Sequence, residues 1–189
     1  MHATPEDAAR EAVLLDLFMP LQFFYLREDR ILPEVALIEG DEMPEPSRGL
    51  LVHGTDMTSK LRAYHESAIG LRVLDRELAD HYLIRAVVLE ADSGIPVEFG
   101  AIGIRVGVFD ESLREEILDG SAPLGGLLNE HGFAYASQPK AFFQVKSDPY
   151  ISHALHCPLG SVLYGRCNAL NDKDGITFAD IVEILPPLP

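Results

Sequence analysis

Arg85 interrupts an apolar run at a position where a charge is hard to bury. In Tyr82-Leu83-Ile84-Arg85-Ala86-Val87-Val88-Leu89, strand alternation puts it on the same face as Leu83, Val87 and Leu89. A guanidinium on such a face must be paired, because stripping its water costs on the order of several kcal/mol even after relaxation. Glu183 poses the mirror-image problem in Phe178-Ala179-Asp180-Ile181-Val182-Glu183-Ile184-Leu185, where it shares a face with Ile181 and Leu185. Two readings stay open. Either the two residues neutralise each other in the core, or they stand at a ligand site in which Arg85 takes an anion. Arg166, in Leu163-Tyr164-Gly165-Arg166-Cys167, reads as a second cation near the first or as an ordinary edge-facing residue.

Other chemistries are poorly represented. His153-Ala154-Leu155-His156-Cys157 gathers nitrogen and sulfur ligands, but no second cluster completes a four-ligand metal site, and a surface loop is expected there. Gly100, Gly103 and Gly107 form no GxGxxG motif before a helix, and no GxSxG nucleophile elbow occurs. No metal or cofactor is expected. The only cysteines, Cys157 and Cys167, lack a CxxC spacing and read as free thiols of a reducing cytosol.

Positioning these groups falls to a chain of 189 residues, enough to close one core, and 1–189 is read as a single domain. Thirty acidic residues against 15 basic ones give a net charge of −15, and 47% of residues are hydrophobic. This is a globular composition, and its acidity argues against a nucleic-acid partner. The same field repels small anions, so an anionic ligand would need an arginine shielded from those carboxylates. The longest apolar stretch, Ala12 to Leu26, is broken by Asp16, Pro20 and Gln22 and follows an acidic flank, so no membrane association is expected and the cytoplasm is the expected location. No oligomeric state is read.

Thr4 before Pro5 reads as a helix cap, with Ala9, Val13 and Leu17, flanked by Leu14 and Phe18, along the apolar face. Pro20 should kink or end that helix, and Leu21 to Leu26 could re-enter it. Residues 40–48, GDEMPEPSR, read as an exposed acidic connector, so 1–54 forms a helical extension packed on the domain. Asp56 or Thr55 caps a helix over Met57 to His65. Strands are expected at Ile69–Leu74, Tyr82–Ala91, Pro96–Val106, Ser161–Leu170 and Ile176–Leu185, with Ala141–Val145 as a further candidate. Two helices fall between, one from Asp110-Glu111-Ser112 to Leu118 and one from Pro123 to near Gly132. Hairpins with helices inserted as a block argue α+β.

Several of these pieces, in order, resemble the chorismate pyruvate-lyase family, the 4-hydroxybenzoate synthases. They are Asp56-Met57-Thr58, Tyr82-Leu83-Ile84-Arg85, Pro123-Leu124-Gly125, Leu163-Tyr164-Gly165-Arg166 and Val182-Glu183-Ile184-Leu185-Pro186-Pro187, spanning residues 55 to 189. The resemblance implies an antiparallel sheet of about six strands with helices on one face and an enclosed ligand cavity. It implies Arg85 as the carboxylate-binding arginine, Glu183 at the ring-hydroxyl end, and Met57 and Leu124 as apolar wall. It further implies a cofactor-independent lyase converting chorismate to 4-hydroxybenzoate and pyruvate, with Arg85 and Glu183 as its catalytic pair. The alternative is a non-catalytic small-molecule binding protein of the same fold, since the superfamily also holds effector-sensing domains of transcription regulators. Those domains normally follow a basic DNA-binding region, which the short, acidic residues 1–54 do not resemble. Three features depart from the lyases: Cys167 replaces a basic residue, Ala134 to Leu159 looks like an insertion, and Glu98-Phe99-Gly100 has its own character.

Overall fold

Apolar strands joined by tight polar turns pair with their sequence neighbours, and here two such meanders fuse into one sheet. The computed structural model describes residues 5–188, with side chains described from residue 12. Its strands are β1 (Val35–Ile38), β2 (Ile69–Ala79), β3 (Tyr82–Ala91), β4 (Pro96–Arg105), β5 (Tyr135–Lys146), β6 (Val162–Asp172) and β7 (Thr177–Ile184). The order is β1-β5-β6-β7-β4-β3-β2, antiparallel throughout. The meanders β2-β3-β4 and β5-β6-β7 meet along β4 and β7. The helices are α1 (Pro5–Arg27), α2 (Ser47–Leu51), α3 (Met57–His65), α4 (Glu111–Asp119), α5 (Leu124–Glu130) and α6 (Pro149–Leu155).

The α+β class is as expected, with seven strands where about six were anticipated. The additional strand, β1, is a four-residue edge strand whose two central residues are exposed, too short to give a clear alternation signal. Helices cover both faces instead of one. Ile84, Ala86 and Val88 of β3 face α1 and α6 through a core that includes Phe18, Leu21, Phe24, Tyr25, Ile151 and Leu155. Leu83, Arg85, Val87 and Leu89 point the other way, beneath α3, α4 and α5. Hence β3 is buried along nearly its whole length.

Helix α1 runs through Pro20, where a kink or an end was expected. Pro20 is buried, and burial of Phe18, Leu21, Phe24 and Tyr25 around it outweighs the loss of one backbone donor. Its buried face is led by these residues with Leu14 and Leu17 alongside, whereas Val13 is 55% exposed. The expected cap at Thr4 lies outside the described residues. The 40–48 segment is more than a connector, because Met43 is buried with Leu50 and Leu51 of α2. The supposed insertion is integral: it supplies β5 and α6. Asp148 accepts a hydrogen bond from the Ile151 N–H at 2.8 Å and Pro149 opens α6, so His153 to Cys157 closes a helix in place of a loop, with Ala154 and Leu155 in the core.

The caps expected for the other helices are present. Asp56 accepts from Ser59 N–H at 2.7 Å, Asp110 accepts from Leu113 N–H at 3.0 Å, and Gly120 ends α4 with φ +74°.

Two glycines test how tightly the sheet is assembled. A Cβ at Gly165 would collide with the Phe143 ring and the Glu183 carbonyl, whereas one at Gly126, inside α5, would meet nothing within 4 Å. Gly165→Ala should lower stability by about 3 kcal/mol, a fall in melting temperature of roughly 5 to 10 °C. Gly126→Ala should be neutral or raise stability by up to about 1 kcal/mol. Thermal unfolding of both variants checks the contrast, and equal melting temperatures would contradict the packing described.

Candidate functional site

The pocket-side face of the sheet carries four buried charged groups, Arg85, Glu98, Arg166 and Glu183, and the register determines which of them meet. Arg166 of β6 stands directly opposite Glu183 of β7. Cross-strand partners lie close enough to touch, and the Arg166 guanidinium bonds the Glu183 carboxylate through Nε and, at 3.5 Å, through Nη2. Its Nη1 also donates to the Leu51 and His53 carbonyls, both at 3.1 Å. Arg166 is 0% exposed, so this buried pair is satisfied from two strands and from the α2–α3 connection. Burial and the nearby Arg166 cation together hold the His53 imidazole down to about 4.

Of the two readings left open, the core pairing of Arg85 with Glu183 does not form. Arg85, 2% exposed, has a single hydrogen bond, from Nη1 to the Ile117 carbonyl at 3.1 Å, in the last turn of α4. Its Nε is buried without a partner, and no carboxylate lies within salt-bridge distance among the described residues. Burial, and then the neighbouring Arg76, pull its pKa down to about 10, which leaves it cationic at neutral pH. Arg76 sits directly across the β2–β3 ladder and donates to the Leu118 carbonyl at 2.7 Å. Two arginines thus share one helix C-terminus, whose carbonyl dipoles offset only part of their charge.

Arg85 and Glu183 line one cavity with Met57 and Leu124, so the four residues expected from the sequence are brought together. The enclosed cavity measures about 70 Å³, and about 590 Å³ is free of atoms when its open mouth is counted. Met57 opens α3 directly after its cap Asp56, and Leu124 opens α5 directly after Pro123. Val87, Leu89, Ile102, Leu170 and Ile181 complete an apolar wall, and Gly100 keeps the floor clear. The shallow groove beside Tyr150 and His153 is separate from this cavity.

Sequence reasoning passed over Glu98. It lies on β4 in the same cavity, is 4% exposed, and its Oε2 has no hydrogen-bond partner. Burial first, then repulsion by Glu183, raises its pKa well above 4.5, with Arg166 opposing only in part. The alternation that singled out Arg85 applies equally to Glu98, which shares its face with Ile102 and Ile104.

The two cysteines are free, and burial pushes the Cys167 thiol up and leaves it unreactive. No described helix is long and apolar enough to cross a membrane.

This architecture is the chorismate lyase-like α+β fold, with a cavity between one sheet face and the helices laid over it. No protein-family model and no curated protein matches the chain. Solved structures do share its fold. PhnF from Mycobacterium smegmatis matches with TM-score 0.54 at 15% identity over 69% of this chain, which spans 63% of that protein's length. The separate effector domain of PhnF matches with TM-score 0.53 at 15% identity, covering 69% of this chain and 88% of that one. A possible transcriptional regulator, YydK from Bacillus subtilis subsp. subtilis, matches with TM-score 0.51 at 9% identity over 62% of this chain and 58% of that one. The expectation of a carbon–oxygen lyase is corrected by these neighbours, which are described as an effector domain and a possible transcriptional regulator and not as lyases. Glu183, the carboxylate expected at the reacting end, is engaged by Arg166.

Two consequences can be measured. Arg166→Met strands the Glu183 charge and should cost about 3 to 5 kcal/mol in thermal or urea unfolding; adding Glu183→Gln should recover part of that loss. A carboxyl whose folded pKa lies above its ordinary 4.5 stabilises the fold fully below that value and loses the contribution as pH rises through the folded pKa. Glu98→Gln should therefore gain in melting temperature over the parent as pH is raised from about 4.5 to about 9. His53, whose depressed pKa acts in the opposite sense, is common to both proteins and cancels in the difference. Parallel curves would mean that Glu98 titrates as it does in the unfolded chain.

Proposed function

We propose that this protein binds a small organic anion in the cavity over Arg85 and performs no chemistry on it. The observation that carries the reading is a guanidinium buried at 2% exposure with one backbone acceptor and no carboxylate partner. A buried cation so poorly compensated is a liability to the fold, and a carboxylate arriving with a ligand would offset it through two parallel hydrogen bonds. The apolar wall from Met57 to Ile181 favours a ring or similar flat hydrocarbon body, so an aromatic carboxylate is the ligand class that fits best.

The neighbouring effector domain supports the non-catalytic character, and sensing of a small effector in the cytoplasm is the corresponding role. Arg85 would hold the anion, Met57 and Leu124 would close over the ring, and Glu183 would contribute indirectly by fixing Arg166.

Calorimetric titration with benzoate tests the proposal. Arg85→Ala should weaken binding at least about 100-fold and Arg85→Lys should restore only part, because an ammonium is a strongly hydrated point charge without the fork geometry. Thermal unfolding in parallel separates binding from folding. Benzoate affinity equal to the parent in a folded Arg85→Ala protein would place the anion elsewhere.

A further inference from the structure

Helix α1 is apolar on two opposite sides, and the fold covers only one of them. The covered side is centred on Leu21 and packs with Phe18, Phe24 and Tyr25 against β3, β4 and β7. With 3.6 residues to a turn, Met19 lies on the other side of the helix. Around it run Ala12, Leu15, Phe23 and Leu26, at the spacing of one helical stripe. Leu15, Met19 and Leu26 are 44%, 40% and 65% exposed. A helix that is apolar all round belongs in an interior, so the outer stripe calls for a cover. We propose that this cover is a second copy of the same chain, the two α1 helices packing antiparallel about a two-fold axis at Met19.

The stripe is the same in character in both directions from Met19, which is what a self-complementary interface requires. Seven residues before it lies Ala12 and seven after it Leu26; four residues away lie Leu15 and Phe23; three away lie Asp16 and Gln22. A two-fold axis through Met19 therefore sets the long Leu26 over the small Ala12 of the second copy, and Phe23 over its Leu15. Apolar groups meet apolar groups at each of these positions. The two polar residues of the stripe, Asp16 and Gln22, meet each other, and the amide N–H groups of one complement the carboxylate of the other. Parallel packing would instead press Asp16 against its own copy, with two like charges in contact.

Charge also separates this occupant from a bilayer. No Lys or Arg lies between Ala12 and Leu26 to meet anionic headgroups, Asp16 stands within the stripe, and the chain carries a net charge of −15. From Ala12 to Leu26 the helix rises about 21 Å, and it is about 10 Å wide. That strip is smaller than the roughly 800 Å² per partner of a standard interface, so a dissociation constant in the micromolar range is expected. The cavity lies against the other face of the sheet, beneath α3, α4 and α5, and stays accessible in such a dimer.

Sedimentation equilibrium of the full chain, from about 1 to about 500 µM, tests the assignment. The parent should show a monomer–dimer equilibrium. Met19→Lys sets two ammonium groups face to face on the axis and should weaken the dimer at least about 100-fold, with circular dichroism checking that the variant folds. The Gln22 position reads the register. Gln22→Lys, placed against Asp16 of the second copy, should tighten the dimer about threefold or more, whereas Gln22→Glu should weaken it about tenfold. A parent that stays monomeric throughout overturns the proposal, and cosedimentation of that monomer with phosphatidylglycerol vesicles would assign the stripe to a membrane. A dimer left intact by a folded Met19→Lys protein overturns it as well. Should Met19→Lys fail to fold, the Gln22 pair decides alone: equal effects of Lys and Glu there refute the antiparallel interface.

Discussion

The ion pair between Arg166 and Glu183 is the constraint from which the rest of the cavity follows. A guanidinium with no exposure to water must have its donors occupied from within, and Arg166 draws on the opposing strand and on the carbonyls of Leu51 and His53. Those carbonyls belong to the segment that leads into Asp56, the cap of α3, and α3 begins with the wall residue Met57. One side chain thus joins the sheet to the helix that roofs the pocket. Such a pair gives little net stability compared with apolar replacements, but breaking it is costly, which fixes the geometry more than it strengthens the fold.

By satisfying each other, Arg166 and Glu183 leave Arg85 and Glu98 without charged partners. The sheet keeps these two apart, one against the end of α4 and the other toward the Glu183 end. Neither can be neutralised by the other, and neither is well solvated. In a chain of net charge −15 the long-range field disfavours anions, so the proposed ligand would need a cation screened from the surface carboxylates. Burial under α4 and α5 provides that screening.

The sequence made much of this legible. Alternation alone placed Arg85 on the buried face of its strand, and the caps at Asp56 and Asp110 and the stop at Gly120 marked α3 and α4. The partner of Glu183 was hidden by a single irregularity. Asp172 faces Ile176 across the β6–β7 turn, and an unbroken ladder counted back from there would set Glu183 opposite Gly165. Arg166 would then point to the far face. A register shift between Leu170 and Asn171 moves the pairing by one residue and brings Arg166 opposite Glu183. Bulges depend on local backbone geometry more than on hydrophobic pattern, so counting along the sequence could not find this one. Helix α6 was marked by Asp148-Pro149, a cap followed by proline at the first turn, and the first half of β5, from Tyr135 to Lys140, was obscured because polar residues and Pro139 leave it without an apolar alternation.

The remaining choice lies between a structural and a ligand-binding meaning for Arg85, and the neighbouring residues favour the proposed ligand. A purely structural arginine capping α4 could sit at the surface, as Arg76 does, with its hydrogen bond to Leu118 and its remaining donors in water. Arg85 performs the same capping contact from a buried position, directly across the ladder from a like charge, and with its Nε unpaired. Each of those features opposes stability, and none is needed to end a helix that already stops at Gly120. Disfavoured polar arrangements of this kind are expected where a site is prepared for a partner of opposite charge. The apolar wall, the glycine floor and the second unpaired group, Glu98, all stand on the same face of the sheet, which supports the proposal of a ligand within the cavity.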